Sequence, residues 1–201
     1  MGLKTTIRFA GSAASPAQFP KDGLPEVAFL GRSNVGKSRL LNALAGVRNL
    51  ARVSGTPGRT RLVNFFRAGD ELYLVDLPGY GYARVSEAER LGWERLAASY
   101  LLERPPLALC VFLVDARHEP NQGDELLRAY LDHHALPYVM VATKADKLGR
   151  GELGRRMRSL AEGIAHKARA VIAASAVTGA GVPELWRAIR EAAAQSRKGA
   201  A

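Results

Sequence analysis

Short apolar runs alternate along this chain with longer stretches in which apolar residues recur every three or four positions. The runs are Val27–Leu30, Leu72–Val75, Leu107–Val114, Tyr138–Ala142 and Ala170–Ala174. Each is continuous rather than alternating and is built mostly of β-branched, aromatic or leucine residues, the pattern of strands covered on both faces. A further run, Arg61 to Arg67, joins Leu72–Val75 through Ala68-Gly69-Asp70-Glu71. That predicts a hairpin and one antiparallel edge strand. Helical spacing fills the gaps. Ser86-Glu87-Ala88-Glu89 is a capping box, and Leu91, Leu96, Tyr100 and Leu101 follow it. Leu126, Leu127, Tyr130 and Leu131 form a second stripe, and Pro183 opens a helix carrying Leu185, Trp186 and Ile189. The alternation predicts an α/β fold of three layers, α/β/α, with a six-stranded, mostly parallel sheet and one antiparallel edge strand. Residues 1–22, polar and small with Pro16 and Pro20, read as an extension or a peripheral strand. The domain proper is expected over 23–196, with 197–201 as a basic tail.

Composition narrows the class. The chain has 201 residues, 47% apolar and 24% charged, enough for one packed domain. Its single cysteine, Cys110, lies inside the run Leu107–Val114, which excludes an internal disulfide framework and points to a small buried hydrophobe. No apolar stretch approaches the ~18 residues of a membrane span. The N-terminus lacks the apolar region of a secretion signal, so a cytoplasmic protein is expected. Met1–Thr6 fits the loose myristoylation pattern, which is short enough to match by chance.

Charge adds a partner class. Lys and Arg total 29 against 19 Asp and Glu, a net +10 that points to a polyanion. From Val27 to Gly69 there is no acidic residue, and the segment carries Arg32, Lys37, Arg39, Arg48, Arg52, Arg59, Arg61 and Arg67. A second basic stretch holds Lys147, Arg150, Arg155, Arg156 and Arg158.

The first of these segments contains Gly31-Arg32-Ser33-Asn34-Val35-Gly36-Lys37-Ser38, which satisfies G-x-x-x-x-G-K-[ST]. It follows the run Val27–Leu30 and opens the helical stretch Leu40, Leu41, Leu44, the strand–loop–helix context such a loop requires. Glycines let the backbone turn its N–H groups onto phosphate oxygens. Lys37 would carry charge to the β- and γ-phosphates, and Ser38 would offer a hydroxyl to Mg²⁺. The loop by itself leaves a kinase, an ATPase and a GTPase open.

Three further motifs choose among them. Asp76-Leu77-Pro78-Gly79 follows the run Leu72–Val75: a carboxylate there holds Mg²⁺ through water, and Gly79 can turn its N–H toward the γ-phosphate. Thr143-Lys144-Ala145-Asp146 follows Tyr138–Ala142. The Asp146 carboxylate can accept from both the ring N–H and the amino group of guanine, a donor pair that adenine lacks. Lys144 would lie along base and ribose by its alkyl stem, Ala145 belongs to the same binding element, and Ser175-Ala176-Val177 would present a backbone N–H to the guanine carbonyl. Between the Gly31–Ser38 loop and Asp76 lies Thr56-Pro57-Gly58-Arg59-Thr60. Thr60, with Thr56 as its rival, would complete the Mg²⁺ shell in the GTP state.

In order and wording these elements resemble a Ras-like G domain, and most closely the bacterial EngB (YihA/YsxC) family. Pro25-Glu26-Val27-Ala28-Phe29-Leu30 running into GRSNVGKS, TPGRT with LVNFF, DLPGYGYA and TKADK carry the resemblance from about Gly23 to Arg190. It implies a GTP-binding protein and GTPase acting in assembly of the large ribosomal subunit and needed for normal division and septation. The implied ligands are GTP or GDP with Mg²⁺. The implied partners are the large subunit or its precursor, with rRNA and ribosomal proteins, and the protein is expected to be a monomer. The implied metal ligands are Ser38, Thr60 and Asp76, and the reacting phosphate is served by Lys37, Thr60, Gly79 and Asn34. Three departures from Ras-type chemistry stand out. Tyr80 follows Gly79 where a water-orienting glutamine would sit, so intrinsic hydrolysis should be slow. Asn34 occupies a loop position that ligates K⁺ in related bacterial GTPases; its alternative role is to stabilise the loop. Thr143 replaces the usual asparagine and so removes one loop-tying amide. The rivals are a P-loop kinase acting on a small acceptor, which TKAD argues against, a membrane-bound septation GTPase, and a plain RNA-binding module.

Overall fold

The computed structural model describes residues 5–47, 49–51, 62–79 and 87–199, with backbone alone for 87–94. Among them one sheet of seven strands runs in the order β1-β3-β4-β2-β5-β6-β7. The strands are β1 (Ile7–Ala13), β2 (Glu26–Gly31), β3 (Val63–Ala68), β4 (Leu72–Asp76), β5 (Leu107–Asp115), β6 (Tyr138–Thr143) and β7 (Val171–Ala173). Strands β4, β2, β5, β6 and β7 pair in parallel, and β3 is antiparallel to β4 on one side and to β1 on the other. The sheet thus has one strand more than the six expected. The added strand comes from residues 1–22 and covers the edge that β3 would otherwise form. Its pattern is weak: only Ile7 and Ala13 are buried, and the register shifts between Phe9 and Gly11.

The helices are α1 (Lys37–Ala45), α2 (Glu87–Glu103), α3 (Gln122–His133), α4 (Arg150–Glu162) and α5 (Val182–Gly199). One face of the sheet packs on α2, α3 and α4 through Leu96, Tyr100, Leu131 and Leu160. The other packs on α1 and α5 through Leu40, Leu41, Leu185 and Ile189. Central strands β2 and β5 are apolar on both faces, so each supplies side chains to both layers, at about 1.5–3 kcal/mol per fully buried large side chain. Cys110 sits in this core, where burial pushes its thiol up to about 12.

Two expectations about helices are refined. Leu126 is exposed at 64%, so the inward stripe of α3 is Leu127, Tyr130 and Leu131. Residue 126 lies a further 100° round the helix from that stripe. The basic residues Arg197 and Lys198 form the last turn of α5, and Arg197 Nη2 donates to the carbonyl of Asp70 at 3.1 Å in the β3–β4 turn. The capping box at Ser86–Glu89 lies outside the described side chains.

One polar group is sealed inside. Glu26, at the start of β2, is fully buried and accepts from Tyr100 Oη at 2.7 Å and Arg104 Nε at 3.0 Å. This fixes the C-terminal end of α2 to the central sheet, while its N-terminal end follows the Asp76–Gly79 segment.

Candidate functional site

In a parallel sheet, ligands bind outside the carboxyl ends of the strands. Here the ends of β2, β4, β5, β6 and β7 lead into Gly31–Ser38, Asp76–Gly79, Asp115–Arg117, Thr143–Asp146 and Ser175–Val177. The loops that the sequence singled out, joined by Asp115–Arg117, therefore lie together at the carboxyl ends of the strands.

The Gly31–Ser38 loop wraps tightly. Asn34 has a φ of 63° and Gly36 a φ of 110°. Gly36 is the residue from which α1 starts, and its left-handed backbone is accessible to glycine without strain. The turn aims the unpaired N–H groups at the start of α1 into the cleft, where the helix dipole favours an anion. Lys37 and Ser38 are the first two residues of α1. Arg32 and Ser33 are partly buried, Val35 is buried and Asn34 is exposed.

Gly79 lies against this loop. A methyl at residue 79 would stand 3.2 Å from the carbonyl of Gly31 and 3.3 Å from the amide of Ser33. Only glycine lets the two segments approach so closely. Leu77 beneath is fully buried, and Pro78 is partly exposed beside the cleft. Asp76, at the end of β4, forms an ion pair with Lys37, both side chains being largely buried (6% and 10% exposed). A ligand that brings both negative phosphate and a cation satisfies Lys37 and Asp76 together. The all-oxygen donors Ser38 and Asp76 suit the hard ion Mg²⁺.

On the other side, Lys144 has a φ of 59°, and its Nζ donates to the carbonyl of Asn34 at 2.9 Å and to Asp115 Oδ2 at 2.8 Å. Thr143 Oγ1 lies 2.6 Å from the carbonyl of Val35 and 3.0 Å from that of Val114. The hydroxyl of Thr143 thus ties the phosphate loop to β5 and β6, the role expected to be lost with the asparagine amide. Ala145 is buried, and its N–H donates to the carbonyl of Ala174 at 3.1 Å. Asp146 accepts from Ser175 Oγ at 2.6 Å. That hydrogen bond, outweighing desolvation, lowers its pKa. Ser175 Oγ in turn accepts from the N–H groups of Val177 and Thr178, which sets the loop that follows β7. A cleft lined by Leu40, Lys144, Asp146, Ala174, Ala176 and Val177 opens beside Gly36. It is the carboxylate-bearing side of the site.

Asp115 was not singled out in the sequence. It is buried at the end of β5, and Arg117 closes on it with Nε at 3.0 Å and Nη2 at 2.8 Å. Burial alone would raise its pKa; hydrogen bonds from Arg117 and Lys144 outweigh this and hold the carboxyl far below the usual range. An acidic residue closing a central apolar strand, with arginine two positions on, was the available signal.

Thr56, Gly58, Arg59, Thr60, Tyr80, Arg48 and Arg52 lie outside the described residues. Their expected roles rest on sequence alone. Among the described residues no three His, Cys, Asp or Glu side chains cluster as a metal site.

Comparison with known proteins agrees with this geometry. The family model described as 50S ribosome-binding GTPase matches residues 26–144. A relative from Syntrophus aciditrophicus (strain SB), named a probable GTP-binding protein EngB, is 47% identical over 192 residues, 96% of this chain and 97% of its own. A crystal structure of a probable GTP-binding protein engB superimposes with a TM-score of 0.68 at 22% identity, over 85% of this chain and 99% of that one. The structure of Era with MgGDPNP and nucleotides 1506-1542 of 16S ribosomal RNA superimposes with a TM-score of 0.66 at 25% identity, over 83% of this chain and 56% of that one.

Proposed function

The chain belongs to the EngB family of P-loop GTP-binding proteins, and from that premise we propose that it is a slow GTP-driven switch acting in assembly of the large ribosomal subunit. The observation that carries the reading is the convergence of the Gly31–Ser38 loop, Asp76–Gly79 and Thr143–Asp146 on one cleft, tied by Lys144 and Thr143.

The residues assign the work. The loop amides and Lys37 hold the β- and γ-phosphates, and the Asp146 carboxylate selects guanine by accepting both of its adjacent donors. Ser38 and Thr60 would hold Mg²⁺ directly and Asp76 through water; bound there, the ion neutralises charge on the phosphates. Gly79, lying against the loop, lets its segment respond to the γ-phosphate. Hydrolysis is slow because Tyr80, not glutamine, follows Gly79. Asn34, exposed on the loop with left-handed backbone, is placed in sequence where it would bind K⁺. The useful output is release of the Thr56–Thr60 and Gly79–Arg84 segments after hydrolysis.

The partner reading draws on the family model's ribosome-binding description, the likeness to Era bound to ribosomal RNA, and the net charge of +10. We place the protein in the cytoplasm as a monomer, with a requirement in division and septation that follows from subunit assembly. Among the described residues no helix is long and apolar enough to cross a membrane. Co-sedimentation with ribosomal subunits in GTP-analogue, GDP and nucleotide-free states tests the reading. Nucleotide-dependent association with the large subunit supports it, and no association at low salt overturns it. Turnover in KCl should exceed that in NaCl, and Asn34→Ala should erase the difference; equal rates in the two salts remove the potassium step.

A further inference from the structure

Three cations line the cleft that carries Asp146, and two of them are engaged. Lys144 donates to Asp115 and to the carbonyl of Asn34, and Lys147 stands 3.7 Å from Asp146. The third, Arg39, is exposed and has no carboxylate or other partner among the described residues. It also stands where a cation gains nothing from its own helix. Arg39 is the third residue of α1, in a first turn that holds no acidic residue, and positive charge there opposes the helix dipole. Lys37, in the same turn, is compensated by Asp76.

The space around Arg39 shows what it faces. The cleft by itself measures about 60 Å³, well below the roughly 300–1,000 Å³ of sites that hold small ligands. A groove of about 410 Å³ adjoins it, bordered by Asn42, Gly46, Val47 and Asn49. Cleft and groove share three residues: Arg39 on α1, and Ala176 and Val177 after β7. A purine nucleoside whose ring meets Asp146 must therefore extend across that shared line. One wall of the cleft is set by the stem of Lys144, whose Cε would lie 3.9 Å from a methyl at residue 36. Among the described residues that line cleft and groove none is aromatic, so no ring is there to cover a base. Arg39 supplies the one planar side chain on the shared line.

We propose that Arg39 binds the purine ring of the nucleotide, its guanidinium lying flat on the base and closing the seam between cleft and groove. The inference rests on the nucleotide-binding reading above. A guanidinium is planar and weakly hydrated and stacks on the faces of nucleobases, and Arg39 has no ion pair to surrender in doing so. The contact depends on the ring and not on the phosphates, so it serves GDP and GTP alike. It also serves any purine, and the selection of guanine stays with Asp146.

The test uses the full chain, stripped of nucleotide, as wild type and as Arg39→Ala, Arg39→Lys and Arg39→Tyr. Each is titrated calorimetrically with GDP and with a non-hydrolysable GTP analogue. Arg39→Ala should weaken both nucleotides about fivefold and leave their ratio unchanged. Tyrosine, which keeps a plane without the charge, should restore most of the affinity. Lysine, which keeps the charge without the plane, should not. The reverse order, lysine rescuing and tyrosine failing, overturns the proposal and makes Arg39 a phosphate contact. The stripped Arg39→Ala chain should melt about 1–2 °C higher, because a cation leaves the first turn of α1. Weaker binding by a more stable chain is an outcome misfolding cannot produce. An Arg39→Ala chain that binds both nucleotides like wild type defeats this proposal alone. A wild-type chain that binds ADP as tightly as GDP defeats the guanine reading alone, since a stacked guanidinium serves either purine.

Discussion

Replacing Asp115 by asparagine should loosen guanine nucleotides without unfolding the protein. Lys144 Nζ stands 2.8 Å from Asp115 Oδ2, with the Asp115 side chain 2% exposed and that of Lys144 28%. A hydrogen bond to a charged group contributes about 1.5–3 kcal/mol, and the partial exposure of Lys144 places this one at the low end. Asparagine keeps the shape and one acceptor but gives up the charge. Lys144 then swings away from the carbonyl of Asn34, and the wall along which base and ribose lie loses about 1.4 kcal/mol of ordering, or about tenfold in affinity. Release of a fluorescent GDP analogue, followed by stopped flow, should quicken about tenfold for Asp115→Asn. Lys144→Met should quicken it more, because it also removes the contact to Asn34. The double variant should match Lys144→Met, with a coupling on the order of 1 kcal/mol. Additive effects, or release from Asp115→Asn within twofold of wild type, would refute the assignment of Asp115 as the residue that positions Lys144.

The same carboxylate gives a pH signature. Its folded pKa lies below the unfolded value of about 3.9, so its contribution is complete above about pH 5 and disappears as pH falls toward the folded value. The stability difference between wild type and Asp115→Asn, measured by urea denaturation, should be constant from pH 7 to 5 and shrink below pH 4; a difference that grows on acidification contradicts it. Gly79→Ala sets a methyl 3.2 and 3.3 Å from backbone atoms of the Gly31–Ser38 loop, which must shift by a few tenths of an ångström to accept it. Preference for a GTP analogue over GDP should fall about fivefold, roughly 1 kcal/mol, and an unchanged ratio by calorimetry counts against the response proposed for that segment. Arg104→Ala strands the buried Glu26 carboxylate at a cost of about 3–5 kcal/mol. Its Tm should drop by at least about 6 °C, and adding Glu26→Gln should restore more than half; no recovery means the loss is packing rather than charge.

Continuous apolar runs made β2, β4, β5 and β6 legible, because strands buried on both faces leave that pattern whatever surrounds them, and the half-buried edge strand β7 kept enough of it to be read. Strand β1 was harder. Its residues between Ile7 and Ala13 are mostly exposed, and pairing with β3 alone recruits it, a tertiary effect no local period records. On α3, Leu126 looked like a core residue because spacing cannot tell which side of an apolar pair turns outward. The Gly31–Ser38 and Thr143–Asp146 motifs were legible because the chemistry proposed for them needs fixed residues at fixed spacing. The ties between them were not. Thr143 replaces the work of an amide through a hydroxyl reaching the carbonyls of Val35 and Val114. Asp115 matters only because the fold brings Lys144 to it across 29 positions of sequence.

The claim that this cleft selects guanine rests on Asp146, held by Ser175 at 2.6 Å beside the cleft. Calorimetric titration of Asp146→Asn with GDP and with xanthosine diphosphate tests it directly. An amide in place of the carboxylate meets the guanine donors with its own donor, whereas xanthine presents a carbonyl that the amide can serve. GDP affinity should fall at least a hundredfold, about 2.7 kcal/mol, while xanthosine diphosphate gains affinity over wild type. Unchanged GDP binding, with no gain for the xanthine nucleotide, would contradict the account.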